Sequence, residues 1–147
     1  MIYSVDVRIE APVRDTEVTD RVGAAVHNLF PDAKLDREPG RLVAETHTLD
    51  GLSETLYDQE ILDTARRVFT DTAGPDGFSF ALKKQAAFMG VVNFAVGDPD
   101  ELGDIEVEVT VREPDVGAFI DRIAPPTEDG VPVDEPGGDA GRGNRNG

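Results

Sequence analysis

Apolar and polar residues alternate in three stretches of the chain, a pattern typical of a strand with one buried face. The alternating apolar residues are Val5, Val7 and Ile9, then Phe78, Phe80 and Leu82, and finally Ile105, Val107, Val109 and Val111. Two shorter strands are predicted around Leu35 and Val43, because the turn sequence Glu38-Pro39-Gly40-Arg41 lies between them. We expect these two strands to form a hairpin.

Apolar residues three and four positions apart predict helices between the strands. The first helix has Thr16 as its expected N-cap and an apolar face of Val18, Val22, Ala25, Val26 and Leu29. The longest predicted helix has Ser53 as its expected N-cap and an apolar face of Ile61, Leu62, Ala65, Val68 and Phe69. A turn or short helix is expected over residues 83–89, and a last helix starting at Pro114 presents Val116, Phe119, Ile120 and Ile123.

Together these elements predict the fold class α+β, with residues 1–124 forming a single domain in which helices pack against a largely antiparallel sheet. Residues 125–147 differ, because they contain ten glycine or proline residues and no aromatic residue. Such a segment buries too little apolar surface to offset its ordering entropy. We expect it to be a disordered acidic tail, rich in glycine and proline.

The 147-residue chain is strongly acidic, with 30 acidic and 14 basic residues and a formal net charge of −16. Only three of the basic residues are lysines, and the predicted tail contributes −3 of the charge, which leaves −13 on residues 1–124. An acid excess with few lysines favours adaptation to concentrated salt, where carboxylates retain water and counterions. The alternative is a functional acidic surface, either a nucleic-acid mimic or a cap for a basic partner. The acidic residues are spread along the chain, which favours solvation.

Composition also excludes several classes of protein and site. Hydrophobic residues make up 39% of the chain, enough for a core, but no apolar run approaches the roughly 18 residues of a membrane span. No charged and then apolar leader precedes Val5. The absence of cysteine excludes a disulfide framework, a thiol nucleophile and thiolate metal sites. We expect a soluble, cytoplasmic protein without membrane association.

No motif of the chain predicts catalysis, so we expect no enzyme activity, no catalytic residue, no cofactor and no metal site. The two histidines, His27 and His47, are interpreted as structural, although either has the chemistry of a metal ligand. The segment 98–104 has some of the spacing of a calcium loop, but Leu102 occupies a ligand position and Val109 stands where the bidentate glutamate belongs. An active site assembled from residues distant in sequence is the alternative.

A local concentration of basic and amide side chains carries the binding hypothesis. Four of the 14 basic residues fall within 19 positions, and the candidates for RNA contact are Arg66, Arg67, Lys83, Lys84, Gln85 and Asn93. Such groups bind phosphates and base edges. The alternative is that Asp63 pairs with Arg66 and Arg67 along one helix. In the same interpretation, Phe78 and Phe80 are core residues and not stacking platforms.

Several of these segments resemble a known family. The matching segments are Gln59-Glu60-Ile61-Leu62-Asp63-Thr64-Ala65-Arg66, Leu82-Lys83-Lys84-Gln85-Ala86-Ala87, Gly90-Val91-Val92-Asn93-Phe94 and Leu102-Gly103-Asp104-Ile105-Glu106-Val107. They are similar to an archaeal family of uncharacterised proteins to which RNA binding has been ascribed, with a fold similar to that of the large-subunit ribosomal protein numbered five. The resemblance covers roughly residues 1–112. It implies an α+β domain with an antiparallel sheet, RNA association and an archaeal source. Together with the acid excess, this predicts a haloarchaeal member of the family.

The residues and the resemblance lead to one functional expectation and one alternative. The expectation is a non-catalytic RNA-binding or RNA-associated protein that uses short-range contacts, because molar salt shortens the Debye length to roughly 3 Å. The alternative is a protein–protein interaction module or a structural homodimer, with strands paired through an exposed sheet edge. Counterions of a high-salt cytosol are the remaining expected partners.

Overall fold

A five-stranded antiparallel sheet organises the computed structural model, which describes residues 2–97, 102–128 and 131–132. The strands are β1 (Ser4–Pro12), β2 (Lys34–Glu38), β3 (Arg41–Thr46), β4 (Gly77–Lys83) and β5 (Asp104–Glu113), and their order across the sheet is β2-β3-β1-β5-β4. The helices are α1 (Thr19–Leu29), α2 (Asp50–Asp58), α3 (Leu62–Asp71), α4 (Lys84–Phe88) and α5 (Val116–Ile123). A separate hairpin pairs β6 (Thr127–Glu128) with β7 (Val131–Pro132). The predicted α+β class, with a sheet packed by helices, is confirmed.

Alternation along the central strands gives the sheet one buried and one exposed face. Val7 on β1 lies opposite Val109 on β5, and both side chains are buried in the hydrophobic core. The neighbouring pair, Arg8 and Glu108, lies on the other face and is exposed. The alternation in the sequence therefore predicted both the strands and the face that each side chain occupies.

Aromatic residues fill the core between α3 and β4. The ring centroid of Phe69 on α3 lies 5.0 Å from that of Phe78 and 4.8 Å from that of Phe80. A fourth ring, that of Phe94, lies 5.8 Å from Phe69. All four side chains are buried. Phe78 and Phe80 are thus core residues, and neither is placed to stack on a nucleic-acid base.

The longest predicted helix is divided into α2 and α3. Glu60, between them, has a positive φ of 59°, which interrupts the helical backbone. The prediction that Ser53 caps this helix is wrong, because Ser53 lies within α2 and its buried hydroxyl donates to the carbonyl of Ile123 at 2.8 Å. Thr16 is not a cap either, since the N-cap of α1 is Val18.

The last helix begins two residues later than the predicted start at Pro114. Asp115 is its N-cap and accepts a hydrogen bond from the amide of Ala118 at 2.8 Å. The helix ends at Ile123, beside the predicted domain boundary. Among the described residues, no helix is long and apolar enough to cross a membrane.

Part of the predicted tail is paired. The strands β6 and β7 form a short hairpin, and the hydroxyl of Thr127 donates to the carboxylate of Asp63 at the start of α3. This hairpin differs from the disorder predicted for residues 125–147. Residues 133–147 lie outside the described residues, so for them the disordered tail stays a prediction.

The two edges of the sheet differ in how their backbone groups are satisfied. On β4, the hydroxyl of Thr72 donates to the carbonyl of Ser79 at 2.6 Å and accepts from the amide of the same residue at 3.0 Å. Residues 93–95 bond to the backbone of Ala81 and Lys83 further along the strand. This edge is therefore blocked against a second strand. The other edge strand, β2, carries charged residues of the kind that discourage edge pairing. A homodimer through a sheet edge stays a prediction.

Candidate functional site

Lys84, one of the six residues predicted to contact RNA, has a buried side chain with an exposed fraction of only 1%. Its ammonium group donates to the carbonyls of Pro12 and Leu102, both at 2.6 Å, and to Oε1 of Glu17 at 3.0 Å. These three bonds use all three of its donors. The predicted role of Lys84 as an RNA contact is therefore wrong, because no proton of this lysine is left for a phosphate.

Arg66 and Arg67 lie on α3, and only the first has a bonding partner among the described residues. The guanidinium of Arg66 donates to the carbonyl of Ala124 at 3.1 Å and pairs with Asp121 at 2.7 Å. Arg67 is exposed. The suggested pairing with Asp63 is not seen, because Asp63 accepts from Thr127 and Arg66 turns towards α5.

The remaining candidates lie where β4 ends and α4 begins. The amide of Lys83 donates to the carbonyl of Asn93 at 2.8 Å, which places these two residues side by side. Gln85 and Asn93 are exposed, and Lys83 is half-buried. The structure thus brings Lys83, Gln85 and Asn93 into one region, while the two arginines lie on another element.

The exposed side of the sheet carries a larger set of charged residues. We call this surface the acidic sheet face, and it is formed by Asp6, Arg8, Glu10, Arg41, Glu45, Glu106, Glu108 and Arg112. The three arginines are all engaged: Arg8 and Arg41 with Glu10 at 3.1 and 2.8 Å, and Arg112 with Asp6 at 2.5 Å. Glu45, Glu106 and Glu108 have no ion-pair partner among the described residues. The face therefore presents uncompensated negative charge.

Hydrogen bonds to arginine hold two of these carboxyl groups in the ionised form. The hydrogen bond from Arg112 lowers the pKa of Asp6 below its ordinary value, and the charge of Arg112 and the nearby His47 add to this. The hydrogen bond from Arg8 likewise lowers the pKa of Glu10, with Arg41 contributing. The pKa of Arg41 is raised by its hydrogen bond to Glu38. Asp6, Glu10 and Arg41 are therefore charged at neutral pH.

An open concavity of about 500 Å³ lies between the acidic sheet face and α3. We call it the β4 groove, because β4 runs through it, and its charged residues are Arg8, Glu10, Asp71, Glu106 and Glu108. Apolar residues, among them Val68, Ala95 and Val96, complete its walls. The groove can therefore hold a side chain that combines a cationic end with an aliphatic stem.

A second concavity of about 380 Å³ adjoins the first across the sheet. It is lined by Asp6, Glu45 and His47, and it shares Arg8 and Glu108 with the β4 groove. The two concavities therefore meet at these two residues and border β1, β3 and β5.

Both histidines bond to backbone carbonyls, which agrees with their interpretation as structural residues. The Nε2 atom of His27 lies 2.9 Å from the carbonyl of Ala33. The Nδ1 atom of His47 lies 3.1 Å from the carbonyl of Val5 and 3.1 Å from Asp6. No group of three histidine or acidic residues with the geometry of a metal site is found within the described ranges. Residues 98–101 of the calcium-like segment lie outside those ranges.

The sequence contained a signal for the acidic sheet face that the hypothesis of RNA binding did not use. Glu106 and Glu108 alternate with buried valines on β5, so the strand pattern already placed both on one exposed face. What the sequence could not show is that β1, β3 and α3 bring Glu10, Glu45 and Asp71 to the same surface.

Comparison with known proteins relates the chain to a family. No family model matches the chain. The chain is 39% identical over 137 residues to a UPF0201 protein of Methanocaldococcus jannaschii, a match that covers 89% of this chain and 79% of the relative. It is 41% identical over 138 residues to a UPF0201 protein of Methanopyrus kandleri, covering 84% of this chain and 86% of the relative.

Solved structures agree with the sequence comparison. The crystal structure of the UPF0201 protein from Methanococcus jannaschii matches with a TM-score of 0.81 and 36% identity, covering 88% of this chain and 99% of that chain. A crystal structure described as an uncharacterized UPF0201 protein matches with a TM-score of 0.78 and 32% identity, covering 87% and 99%. Similarity to the ribosomal protein and a haloarchaeal source stay predictions. The chain belongs to UPF0201, an archaeal family of uncharacterised proteins.

Proposed function

We propose that the chain is a protein-interaction domain, with no catalytic role, that holds a basic segment of a partner protein against its acidic sheet face. The observation that carries this proposal is the exposure of Glu45, Glu106 and Glu108 without an ion-pair partner among the described residues. Three uncompensated carboxylates on one face attract cations and repel phosphates.

The cations of the sheet that lie opposite these glutamates do not pair with them. Arg8 lies opposite Glu45 on β3 and Glu108 on β5. Lys34 on β2 also lies opposite Glu45, and no ion pair joins either cation to these glutamates among the described residues. The guanidinium of Arg8 bonds instead to Glu10 at 3.1 Å. An arginine supplied by a partner would meet Glu106 or Glu108 with two parallel hydrogen bonds, the geometry that guanidinium and carboxylate groups favour.

The expected affinity is moderate. An exposed ion pair contributes only about 0.2–1 kcal/mol, so several pairs and some apolar contact are needed for a dissociation constant near 1 μM, which corresponds to about 8 kcal/mol. The β4 groove offers both kinds of contact, because Val68 and Val96 lie beside its carboxylates. A basic segment with arginines spaced along an extended backbone satisfies this chemistry.

RNA binding remains the second candidate, supported by Lys83, Gln85 and Asn93 where β4 meets α4. Lysine and amide groups of this kind contact phosphates and bases. Two observations weigh against it: Lys84 is buried, and the exposed face of the sheet carries carboxylates without an ion-pair partner among the described residues. A phosphate backbone lying across that face would meet like charges at short range.

The test measures binding of a fluorescent peptide of about ten residues, alternating arginine and glycine, to the full chain in about 0.2 M KCl. We expect Glu106→Gln combined with Glu108→Gln to weaken binding by about tenfold, since each lost ion pair contributes up to roughly 1 kcal/mol. Both residues are exposed, so the fold is expected to tolerate the change.

The matched control is Glu54→Gln combined with Asp58→Asn, which removes the same charge from the exposed surface of α2. If this control weakens binding equally, net charge alone attracts the peptide and the proposed site is wrong. A labelled single-stranded RNA of mixed sequence is titrated in parallel. RNA binding that persists in the double glutamine variant and is lost in Lys83→Ala would favour the RNA candidate over our proposal.

A further inference from the structure

The chain carries a basic segment of its own, and we propose that Arg142 and Arg145 bind in the β4 groove of the same molecule. This inference rests on the proposed function, since it names an intramolecular occupant of the same acidic site. A basic partner would then have to displace the chain's own C-terminal segment. Three independent observations support the assignment: the charge pattern of the segment, its length and the chemistry of the groove.

The charge pattern changes sharply within the last residues. Residues 133–139 contain three acidic residues and no basic residue, whereas residues 140–147 contain Arg142 and Arg145 and no acidic residue. Both arginines stand among glycine and asparagine residues, which add little bulk. In a chain with a net charge of −16, this is a local cationic segment, and the acidic sheet face is its electrostatic complement.

The length of the segment matches the distance that it has to cover. Thr127 bonds to Asp63 at the start of α3, and the chain continues from there through β7. The β4 groove lies beside the later part of α3, where Val68, Asp71 and Thr72 line it. A ten-residue helix such as α3 is about 15 Å long.

Ten residues separate Pro132 from Arg142. A glycine-rich chain of that length spans about 17 Å on average and about 33 Å when extended.

The chemistry of the groove suits arginine. Asp71, Glu106 and Glu108 line it without an ion-pair partner among the described residues, so two guanidinium groups can each find a carboxylate. Val68 and Val96 provide apolar surface for the methylene groups of the arginine side chain. A lysine would make the same Coulomb contact, but it lacks the planar pair of donors that binds a carboxylate bidentately.

A weak contact is sufficient, because the segment is tethered. A short flexible link gives an effective concentration in the millimolar range, so a contact whose dissociation constant is also millimolar would be about half occupied. Two exposed ion pairs are of the right size to supply it. Salt weakens the attraction between separated charges, whereas the direct hydrogen bonds inside the groove are affected less.

The experiment compares the full chain with its Arg142→Gln, Arg145→Gln double variant by nuclear magnetic resonance. We expect the amide resonances of Val68, Asp71, Thr72 and Val96 to shift in the double variant. The control is Asn144→Gln combined with Asn146→Gln, which alters neighbouring residues and keeps both arginines. We also expect the arginine–glycine peptide to bind the arginine-free variant about twofold more tightly than the unmodified chain, since a competitor that occupies about half of the grooves is gone.

The outcomes separate this inference from the proposed function. If the groove resonances do not respond to the loss of the arginines and the peptide binds both proteins equally, the tail does not occupy the groove, while the proposed function stands. If the resonances respond but the peptide binds neither protein, the intramolecular contact stands and the proposed function fails. A response that grows with protein concentration would overturn the intramolecular assignment, because it would show that the tail binds a second copy.

Discussion

Lys84 joins segments that are far apart in the chain. It belongs to α4, yet its ammonium bonds to Pro12 at the end of β1, to Glu17 before α1 and to Leu102 before β5. Burying a charged group is costly unless all of its hydrogen bonds are satisfied. Here two carbonyls and one carboxylate accept all three hydrogen bonds of the ammonium. The second carboxylate oxygen of Glu17 is buried without a partner, so Glu17 depends on Lys84 for its compensation.

The first prediction concerns this buried pair. Lys84→Met should destabilise the protein by about 3–5 kcal/mol, because it leaves two carbonyls without this donor and the Glu17 carboxylate without a cation, with only the amide of Arg14 still donating to its Oε1 atom. Urea unfolding followed by circular dichroism measures the change. Gln85→Met, at the exposed neighbouring position, should change stability by no more than about 0.5 kcal/mol. A loss below about 1 kcal/mol for Lys84→Met would show that the pair contributes little.

The second prediction concerns the titration of Asp6. Its hydrogen bond from Arg112 lowers its pKa in the folded state, so Arg112→Gln should raise that pKa towards the ordinary value for aspartate. Because the folded pKa is the lower one, the stabilisation exists above the ordinary pKa and is lost as the pH falls through the folded value. Carbon-detected NMR titration of the Asp6 carboxyl measures its pKa in the unmodified chain and in Arg112→Gln. An unchanged midpoint in Arg112→Gln would contradict the assigned cause.

At the level of secondary-structure elements, the spacing of apolar residues predicted the strands, whereas the expected capping residues did not predict where α1 and α2 begin. The strands β1, β4 and β5 follow the alternation of their valines and phenylalanines, because burial of one sheet face enforces a period of two. The division between α2 and α3 was not predictable in this way, since Ile61 and Leu62 continue the apolar pattern across it. The β4 groove escaped prediction for a related reason: its walls come from β1, α3, β4, β5 and residues 95–96, which meet only in the fold.

The third prediction tests the closed edge of β4. Thr72→Val keeps the shape of the side chain but removes the hydroxyl that bonds both the amide and the carbonyl of Ser79. We expect a loss of about 1 kcal/mol, since each neutral hydrogen bond contributes roughly 0.5–1.5 kcal/mol and water can replace part of it at this exposed edge. Thr70→Val, two residues earlier on the exposed surface of α3, is the matched control.

The same variant also tests how the edge affects association. With the hydroxyl gone, Ser79 exposes backbone groups that can pair with another strand, so Thr72→Val should associate at high protein concentration. Sedimentation velocity compares it with the unmodified chain and with Thr70→Val. Stability and sedimentation behaviour equal to those of the control would show that the Thr72 hydroxyl does not protect this edge.

At the scale of the whole molecule, two effects of charge oppose each other. Acidic residues outnumber basic ones in the predicted domain, because residues 1–124 carry a net charge of −13. Their mutual repulsion opposes the compact state and decreases when salt screens it. The attraction between the acidic sheet face and a basic segment decreases for the same reason. Salt should therefore stabilise the fold and weaken the proposed interaction.

The fourth prediction follows from these opposite effects. As KCl rises from about 0.1 M to about 2 M, the Debye length falls from roughly 10 Å to a few ångströms, so the melting temperature should rise while the affinity for the arginine–glycine peptide falls. Calorimetry and fluorescence anisotropy measure the two quantities on the same samples. Near pH 4 many carboxyl groups begin to be protonated, so the rise in melting temperature with salt should become smaller.

A melting temperature that falls steadily with KCl would contradict the predicted adaptation to high salt. Peptide binding that is insensitive to salt would instead count against the acidic sheet face, because an interaction built on exposed carboxylates has to respond to screening.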